Sequence, residues 1–271
     1  MTKTEFYKQD LIVLFNNFLK TYNEKKIFDY LAFNSNLPSP RGNLELAAAF
    51  VEMIEIYSSR SLKELWDLCK EATSISSDEA PVNDPKEFLT FCGTYAIGAL
   101  GSLYPKYLDK SLFCLKELAH DPRWRTREAV AMGIQKLLKR QPEKTLEILE
   151  GWIENSNWLI MRAAAAGVAE PPILRVDWIA RKALELHKKI FNRILCSTDR
   201  KSSEFKTMRK GLGYTFSVVI CALPKEEGIG YMYQLVNSQD TDILWIIRQN
   251  LRKNRLIKKF PDEVVSLKEL L

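Results

Sequence analysis

The chain has 271 residues, of which 46% are apolar and 27% are charged, proportions that are ordinary for a soluble globular protein. Its formal net charge of +6 permits an anionic partner without requiring one. No apolar run approaches the ~20 residues that cross a bilayer, and the first residues lack the basic and apolar segments of a signal peptide. We therefore expect a cytoplasmic protein with no membrane segment.

Helical periodicity runs along the whole chain, with apolar residues recurring at intervals of three and four. An N-terminal helical cap is predicted over residues 4–73. No segment alternates with a period of two, so the predicted fold class is all-α, with about a dozen helices. Helix breakers mark the expected loops at residues 37–42, 73–85, 121–122, 141–142, 171–172, 197–203, 223–224 and 260–261.

The cysteines and histidines offer little for disulfide or metal chemistry. The five cysteines are widely spaced without a C-x-x-C pair, and His120 and His187 are far apart in sequence. This spacing is unlike that of disulfide frameworks and zinc motifs. We expect each cysteine to be a small buried apolar side chain, and we expect no metal and no cofactor.

An internal repeat appears at an offset of 34 residues. Residues 124–134 and 158–168 share an initial tryptophan, two alanines and a glycine. A weaker third copy, residues 242–248, shares with residues 121–127 an aspartate six positions before an arginine. In the first copy, Asp121 is expected to cap the helix, with a proline in the first turn.

This aspartate-to-arginine spacing, ahead of an alanine-rich helix, resembles the second helix of a HEAT repeat. The resemblance implies an α-α superhelix, a HEAT/ARM-like repeat solenoid in which paired antiparallel helices stack on one another. The clearest repeats cover residues 109–170, and weaker ones cover residues 204–260. The expected organisation is a single elongated domain over residues 1–271.

The repeat predicts a face on which tryptophans and charges recur. On the first copy, Trp124 and Glu128 share one helical stripe, and on the second Trp158 and Arg162 do so. Such a face could stack bases on aromatic rings while arginines hold phosphates. The alternative is that the tryptophans wedge between repeats as part of the core.

A second signal is a basic stretch near the C-terminus, predicted as one helix over residues 248–259. Four of its cations, spaced four, three and four apart, share one face with Trp245 close by: Arg248, Arg252, Arg255 and Lys259. The row indicates an anionic ligand, because like charges at this spacing repel each other. The alternative is a solvated helix end, where the helix dipole favours cations near the C-terminus. A further basic patch is expected from Arg123, Arg125, Arg127, Lys136, Lys139 and Arg140.

Residues 109–170 resemble the central repeats of the bacterial alkylpurine DNA glycosylases built from HEAT-like repeats. The match includes Trp152-Ile153, Asn157 and the run Arg162-Ala163-Ala164, and residues 37–38 with 46–49 match an earlier stretch. The resemblance implies that Arg162 contacts the DNA backbone.

The sequence departs from this family where the catalytic residues should lie. The family's Trp-Trp-Asp-x-x-Asp run corresponds here to residues 124–129, in which only Trp124 is kept. Arg125 stands at the second tryptophan, Ala129 at the catalytic aspartate, and Glu128 one residue earlier. Glu128 and Glu170 are the only candidates for proton chemistry, and Glu128 is the predicted catalytic residue if activity survives.

Three functions follow as hypotheses: DNA binding without catalysis, a scaffold that holds a protein or peptide in its concave groove, and an active glycosylase. DNA binding through the phosphate backbone is the leading one. The expected DNA-binding residues are Trp124, Arg125, Trp158, Arg162, Trp245, Arg248, Arg252, Arg255 and Lys259.

Overall fold

A computed structural model describes residues 2–155 and 157–271 of the protein. Over these residues the chain consists of helices and turns without a β-strand, which confirms the all-α prediction. The chain splits into two compact units, Met1–Gln141 and Pro142–Leu271, called unit 1 and unit 2 below. The single elongated domain expected over residues 1–271 stays a prediction.

Unit 1 contains the helices that the sequence predicted as an N-terminal cap, followed by the first copy of the repeat. Its six helices are α1 Lys3–Thr21, α2 Lys25–Phe33, α3 Leu44–Ser74, α4 Glu87–Leu103, α5 Pro105–Leu118 and α6 Trp124–Arg140. Helix α3 is kinked at Ser61, whose backbone angles leave the helical region. Each predicted breaker in this unit lies between two helices.

Helix α4 forms the centre of unit 1 and packs against α2, α3, α5 and α6. It is apolar around most of its circumference, as expected for a helix enclosed by others. It crosses α6 at Gly98 and Gly133, and a Cβ atom on Gly98 would lie 2.2 Å from the Cα atom of Gly133. Gly98 is required here because the backbones of the two helices touch.

The loop before α4 is held by an arginine from the start of α6. The buried guanidinium of Arg123 donates to the carbonyls of Ile75 (2.9 Å) and Ala80 (3.2 Å) and pairs with Asp121 at 2.7 Å. Asp121 also accepts the backbone N–H of Arg123. The prediction that Asp121 and Pro122 start the helix is therefore wrong by two residues, since Arg123 is the N-cap.

The described part of unit 2, residues 142–155 and 157–271, contains eight helices and a short 3₁₀ turn at Ile173–Arg175. The helices are α7 Pro142–Asn155, α8 Trp158–Val168, α9 Asp177–Cys196, α10 Ser203–Ile220, α11 Lys225–Val236, α12 Thr241–Asn250, α13 Asn254–Lys259 and α14 Pro261–Glu269. Helix α10 packs between α8 and α12, while α9 packs against α7, α8 and α10. Helix α11 packs against α10 and α12.

The first two copies of the repeat have the same local register, because Trp124 is the first residue of α6 and Trp158 the first residue of α8. The third copy does not share it. Asp242 is the second residue of α12, whereas Asp121 lies three residues ahead of α6. Asp242 pairs with Arg200 and Arg209, whereas Asp121 pairs with Arg123 ahead of its helix.

Two buried polar side chains connect the helices of unit 2. His187 on α9 bonds to the carbonyl of Ala183 at 2.8 Å and to the hydroxyl of Thr215 on α10 at 3.0 Å. Asn250 accepts the backbone N–H of Ser217 and donates to the carbonyl of Leu212, both on α10. These bonds satisfy groups that would otherwise be buried without partners.

Candidate functional site

The first predicted site, at the start of α6, is a cavity of about 240 Å³ in unit 1. Trp124 lies on its wall with 44% of the residue exposed, and Glu128, also exposed, lines it one turn further on. The rings of Phe88 and Phe91 form part of the apolar wall. The structure therefore brings Trp124 and Glu128 together, as the sequence predicted, while the catalytic role of Glu128 stays a prediction.

Arg125 belongs to the interior of unit 1 and not to a DNA-facing surface. It is 4% exposed, pairs with the fully buried Glu87 at 3.0 Å, and donates to the carbonyl of Ser39 at 2.9 Å. Its guanidinium also lies 4.4 Å from the centre of the Trp124 ring. The expectation that Arg125 contacts DNA is corrected, because its charge is used inside the fold.

Four of the six cations of the basic patch expected around α6 have partners within unit 1, whereas Lys139 and Arg140 are exposed. Arg123 braces the loop before α4, and Arg127 donates to the carbonyls of Asp121 (2.5 Å) and Pro122 (2.9 Å). Lys136 pairs with Glu55 at 2.6 Å. These cations serve the local structure of unit 1.

In unit 2, Trp158 is a core residue. It is 8% exposed, its ring packs edge-on against Phe205 at 5.2 Å, and its Nε1 donates to the carbonyl of Asp199 at 3.2 Å. Trp158 therefore does not form a wall against which a base could stack. The alternative that the sequence left open, packing within the core, is the correct one for this residue.

Trp245 is also part of a packed cluster. The guanidinium of Arg209 lies 4.5 Å from its ring centre, and Arg209 in turn pairs with Asp242. A Cβ atom on Gly213 would lie 3.6 Å from the Trp245 ring. The absence of a side chain at Gly213 thus lets α12 pack closely on α10.

The single basic helix expected over residues 248–259 is wrong. Helix α12 ends at Asn250, and Lys253 adopts an extended conformation before α13 begins. The buried side chain of Asn250 bonds to the backbone of α10 and to its own helix, which favours a helix end at this position. The four cations of the row therefore do not lie on one continuous helix.

The structure gives these four cations different surroundings. Arg248 donates to the backbone oxygen of Leu271 and shares a cavity of about 280 Å³ with Arg252. Lys259 donates to the carbonyl of Cys221 at 2.8 Å, so it satisfies the C-terminal end of α10. Arg255 borders a different cavity.

The side chain of Arg255, from α13, packs against one face of α10 at Tyr214. Its guanidinium is 4.4 Å from the ring centre of Tyr214, and the ammonium of Lys253 is 5.8 Å from the same ring. Tyr214 is 49% exposed. Among the described residues, no carboxylate pairs with Lys253 or Arg255.

Arg162 reaches the same face of α10 from α8. A Cβ atom on Gly211 would lie 3.1 Å from Cγ of Arg162, so the arginine stem crosses α10 at this glycine. Gly211 is one turn before Tyr214, and the exposed Lys210 precedes it. We call this surface the α10 face; it consists of Arg162, Lys210, Gly211, Tyr214, Lys253 and Arg255.

Sequence reasoning selected Arg162 and Arg255 but missed Lys210, Lys253 and Tyr214. The available signal was the spacing of Lys210 and Tyr214 by four residues, opposite the apolar stripe of α10. Nothing local connects Tyr214 with Arg255, since the two residues are 41 positions apart and meet only in the folded chain.

The cysteines partly differ from expectation. Cys69, Cys92 and Cys114 are buried as predicted, but Cys196 is exposed and Cys221 is half-buried. Burial raises the pKa of the Cys221 thiol, against the opposing effect of the nearby Lys259 and Arg255.

The described residues contain no group of three or more potential metal ligands, and none of their helices is long and apolar enough to span a membrane.

No protein-family model matches this chain, and no curated protein matches it. Among solved structures, the crystal structure of an engineered protein from the Northeast Structural Genomics Consortium is similar at 16% sequence identity. The alignment covers 88% of this chain and 97% of the engineered protein, with a TM-score of 0.31. A likeness at this level carries no argument about fold family or function.

Proposed function

We propose that the protein binds double-stranded DNA and that the α10 face of unit 2 contacts the phosphate backbone. The observation that carries the proposal is the pair of cations on the ring of Tyr214. Lys253 and Arg255 both lie over this ring, and neither pairs with a carboxylate within residues 2–155 and 157–271. Cations of this kind are available for phosphates, which receive most protein–DNA hydrogen bonds.

The arrangement of helices in unit 2 supports a HEAT-like repeat architecture, which we include in the proposal. Helices α8, α10 and α12 are neighbours in chain order, with α7, α9 and α11 packed beside them. Stacked helix pairs produce this pattern. In such an array the second helices carry the binding surface, and the α10 face lies on one of them, next to Arg162. The resemblance of Arg162 to a backbone-contacting arginine of the alkylpurine glycosylases points the same way.

The proposal is tested by removing the two cations on Tyr214. The double variant Lys253→Gln/Arg255→Gln is expected to bind a fluorescein-labelled duplex at least about tenfold more weakly at low salt, because two charge-assisted contacts are lost. Fluorescence anisotropy measures the affinity.

A matched control removes two cations elsewhere in unit 2, in Arg181→Gln/Lys188→Gln. Arg181 already pairs with Glu227 at 3.0 Å, and Lys188 with Glu185 at 2.9 Å. The control is expected to bind nearly as well as the natural protein. Absence of duplex binding at low salt, or equal losses in the two double variants, would show that the α10 face is not the DNA-binding surface.

The proposed activity is binding without removal of a base. Ala129, which stands where the related enzymes have the catalytic aspartate, is fully buried, and its methyl group has no acid–base chemistry. Incubation with alkylated DNA is therefore expected to release no 3- or 7-alkylpurine, as measured by chromatography of the soluble fraction. Release that Glu128→Gln abolishes would instead establish Glu128 as a catalytic residue.

A further inference from the structure

A second cavity of unit 2 lies beside the α10 face, and it combines two arginines with an apolar wall. Its volume is about 450 Å³. Arg175, from the 3₁₀ turn before α9, and Arg255, at the start of α13, both line it. Leu174 and Val218 contribute apolar surface. The cavity therefore offers a charged part and an apolar part to one ligand.

The guanidinium of Arg255, which lines this cavity, has one donor without a partner. Its Nη1 atom is shielded from solvent and has no hydrogen-bond partner among the described atoms. The ring of Tyr214, 4.4 Å from the guanidinium centre, supports the arginine without accepting its N–H groups in plane. A buried donor without an acceptor is unfavourable, so a change of the Arg255 rotamer that brings Nη1 to an acceptor of a ligand would be favourable.

Arg175 adds a second positive charge to the same cavity. Its side chain is exposed, and no hydrogen bond or ion pair to it is found within the described residues. Two cations that share a cavity repel each other unless an anion lies between them. Asp177 also lines the cavity and offsets one of the two charges. The lining side chains therefore keep a net positive charge, which favours an anionic ligand, and an organic hydroxyl of that ligand could donate to Asp177.

The remaining wall does not supply the missing acceptor. Cys221 lines the cavity, and burial raises the pKa of its thiol, which keeps the sulfur uncharged at neutral pH. A neutral thiol is a weak acceptor and behaves as a small apolar group. The wall formed by Cys221, Leu174 and Val218 therefore suits the organic part of a ligand better than its anionic part.

We propose that this cavity binds a phosphate monoester, with the phosphoryl oxygens accepting hydrogen bonds from Arg175 and Arg255 and the organic part covering the apolar wall. A monoester fits better than a carboxylate because its three terminal oxygens can accept hydrogen bonds from both arginines at once. The planar guanidinium of arginine presents paired N–H donors whose spacing matches that of two phosphoryl oxygens. The site shares Arg255 with the α10 face, but it does not depend on DNA binding.

The monoester could come from a free nucleotide or from the phosphorylated end of a DNA strand, and two measurements separate these sources. Calorimetry with deoxyadenosine monophosphate tests the free nucleotide. Anisotropy with one duplex carrying 5′-phosphate, 3′-phosphate or hydroxyl ends tests the strand end. We expect binding of the nucleotide that depends on Arg175, or binding of one phosphorylated duplex that is at least about tenfold tighter than binding of the hydroxyl-ended duplex. Two charge-assisted hydrogen bonds are enough for a difference of this size.

The variants Arg175→Gln and Arg255→Gln should each abolish this preference, and Arg255→Lys should weaken it because the fork is lost while the charge is kept. Arg193→Gln, an exposed arginine of α9 outside the cavity, is the matched control. Thermal unfolding of each variant checks that it folds.

The proposal is overturned if neither the nucleotide nor a phosphorylated duplex shows affinity that depends on Arg175. If the hydroxyl-ended duplex does not bind while the nucleotide does, the proposed DNA-binding function fails and the monoester site stands. If every duplex binds equally and the nucleotide does not bind, the monoester site fails and the DNA-binding function stands.

Discussion

Four arginines of this protein form two contrasting pairs in their burial and partners. Arg123 and Arg125 are almost fully buried, and each pairs with a carboxylate and with backbone carbonyls. Arg175 and Arg255 line a cavity, and no carboxylate pairs with either among the described residues. A buried charge needs partners within the fold, so the first group is structural. The second group is available for a ligand.

His187 gives the clearest pH dependence at the scale of a single residue. Burial lowers its pKa from 6.5 to about 4, although the bond to the Ala183 carbonyl opposes this shift. In the unfolded chain the imidazole takes up a proton near pH 6.5, whereas in the folded protein it stays neutral down to about pH 4. Its contribution to stability is therefore complete above pH 6.5 and is lost as the pH falls toward 4.

We expect the free energy of unfolding to decrease between pH 7 and pH 4.5 by about 2–3 kcal/mol more in the natural protein than in His187→Gln. Urea unfolding at the two pH values measures the difference, and the variant corrects for the carboxylates that titrate in the same range. The same pH dependence in both proteins would show that His187 is not held in its neutral form.

At the scale of helices, close contact depends on where a glycine lies. Gly98 touches the backbone of Gly133 where α4 crosses α6, whereas a Cβ atom on Gly230 of α11 would meet no other atom within 4 Å. Both glycines are inside helices, so sequence alone treats them alike. The first is required by packing, and the second only lowers the helix propensity of its segment.

Replacing each glycine by alanine is therefore expected to have opposite effects. Gly98→Ala should destabilise the protein by about 3 kcal/mol or more, because the added methyl group forces α4 and α6 apart. Gly230→Ala should stabilise it by roughly 0.5–1 kcal/mol through helix propensity. Chemical denaturation measures both changes, and a Gly98→Ala variant as stable as the natural protein would contradict the contact between the two helices.

Helix boundaries show what local sequence predicts well and what it does not. All eight predicted breakers coincide with the ends of helices, because proline and short polar residues act on the backbone next to them. The break between α12 and α13 was missed. It follows a buried Asn250 whose side chain bonds to α10, 33 and 38 positions away in sequence. A periodicity of basic residues could not reveal this tertiary contact.

At the scale of the whole molecule, the net charge of +6 favours association with a polyanion, and the salt dependence of binding tests how many phosphates are contacted. The α10 face contains four cations, which predicts a slope of about −4 for the logarithm of the affinity against the logarithm of the salt concentration. Lys253→Gln/Arg255→Gln should reduce the magnitude of this slope by about 2. Anisotropy titrations over a range of salt concentrations measure it, and an unchanged slope in the double variant would place the phosphate contacts elsewhere.

The sequence by itself determined the helical class and the positions of most loops, because these depend on neighbours within a few residues. Only the tertiary structure decided which cations are free. Arg125 is enclosed by Glu87 and by a carbonyl 86 positions away, and Arg255 meets Tyr214 across 41 positions. A helical wheel shows on which side of its helix an arginine lies. The partners that neutralise its charge come from distant parts of the chain. For this reason the DNA-binding set predicted from sequence included the buried Arg125 and Trp158 and lacked Tyr214, while the DNA-binding role of its other members stays a prediction.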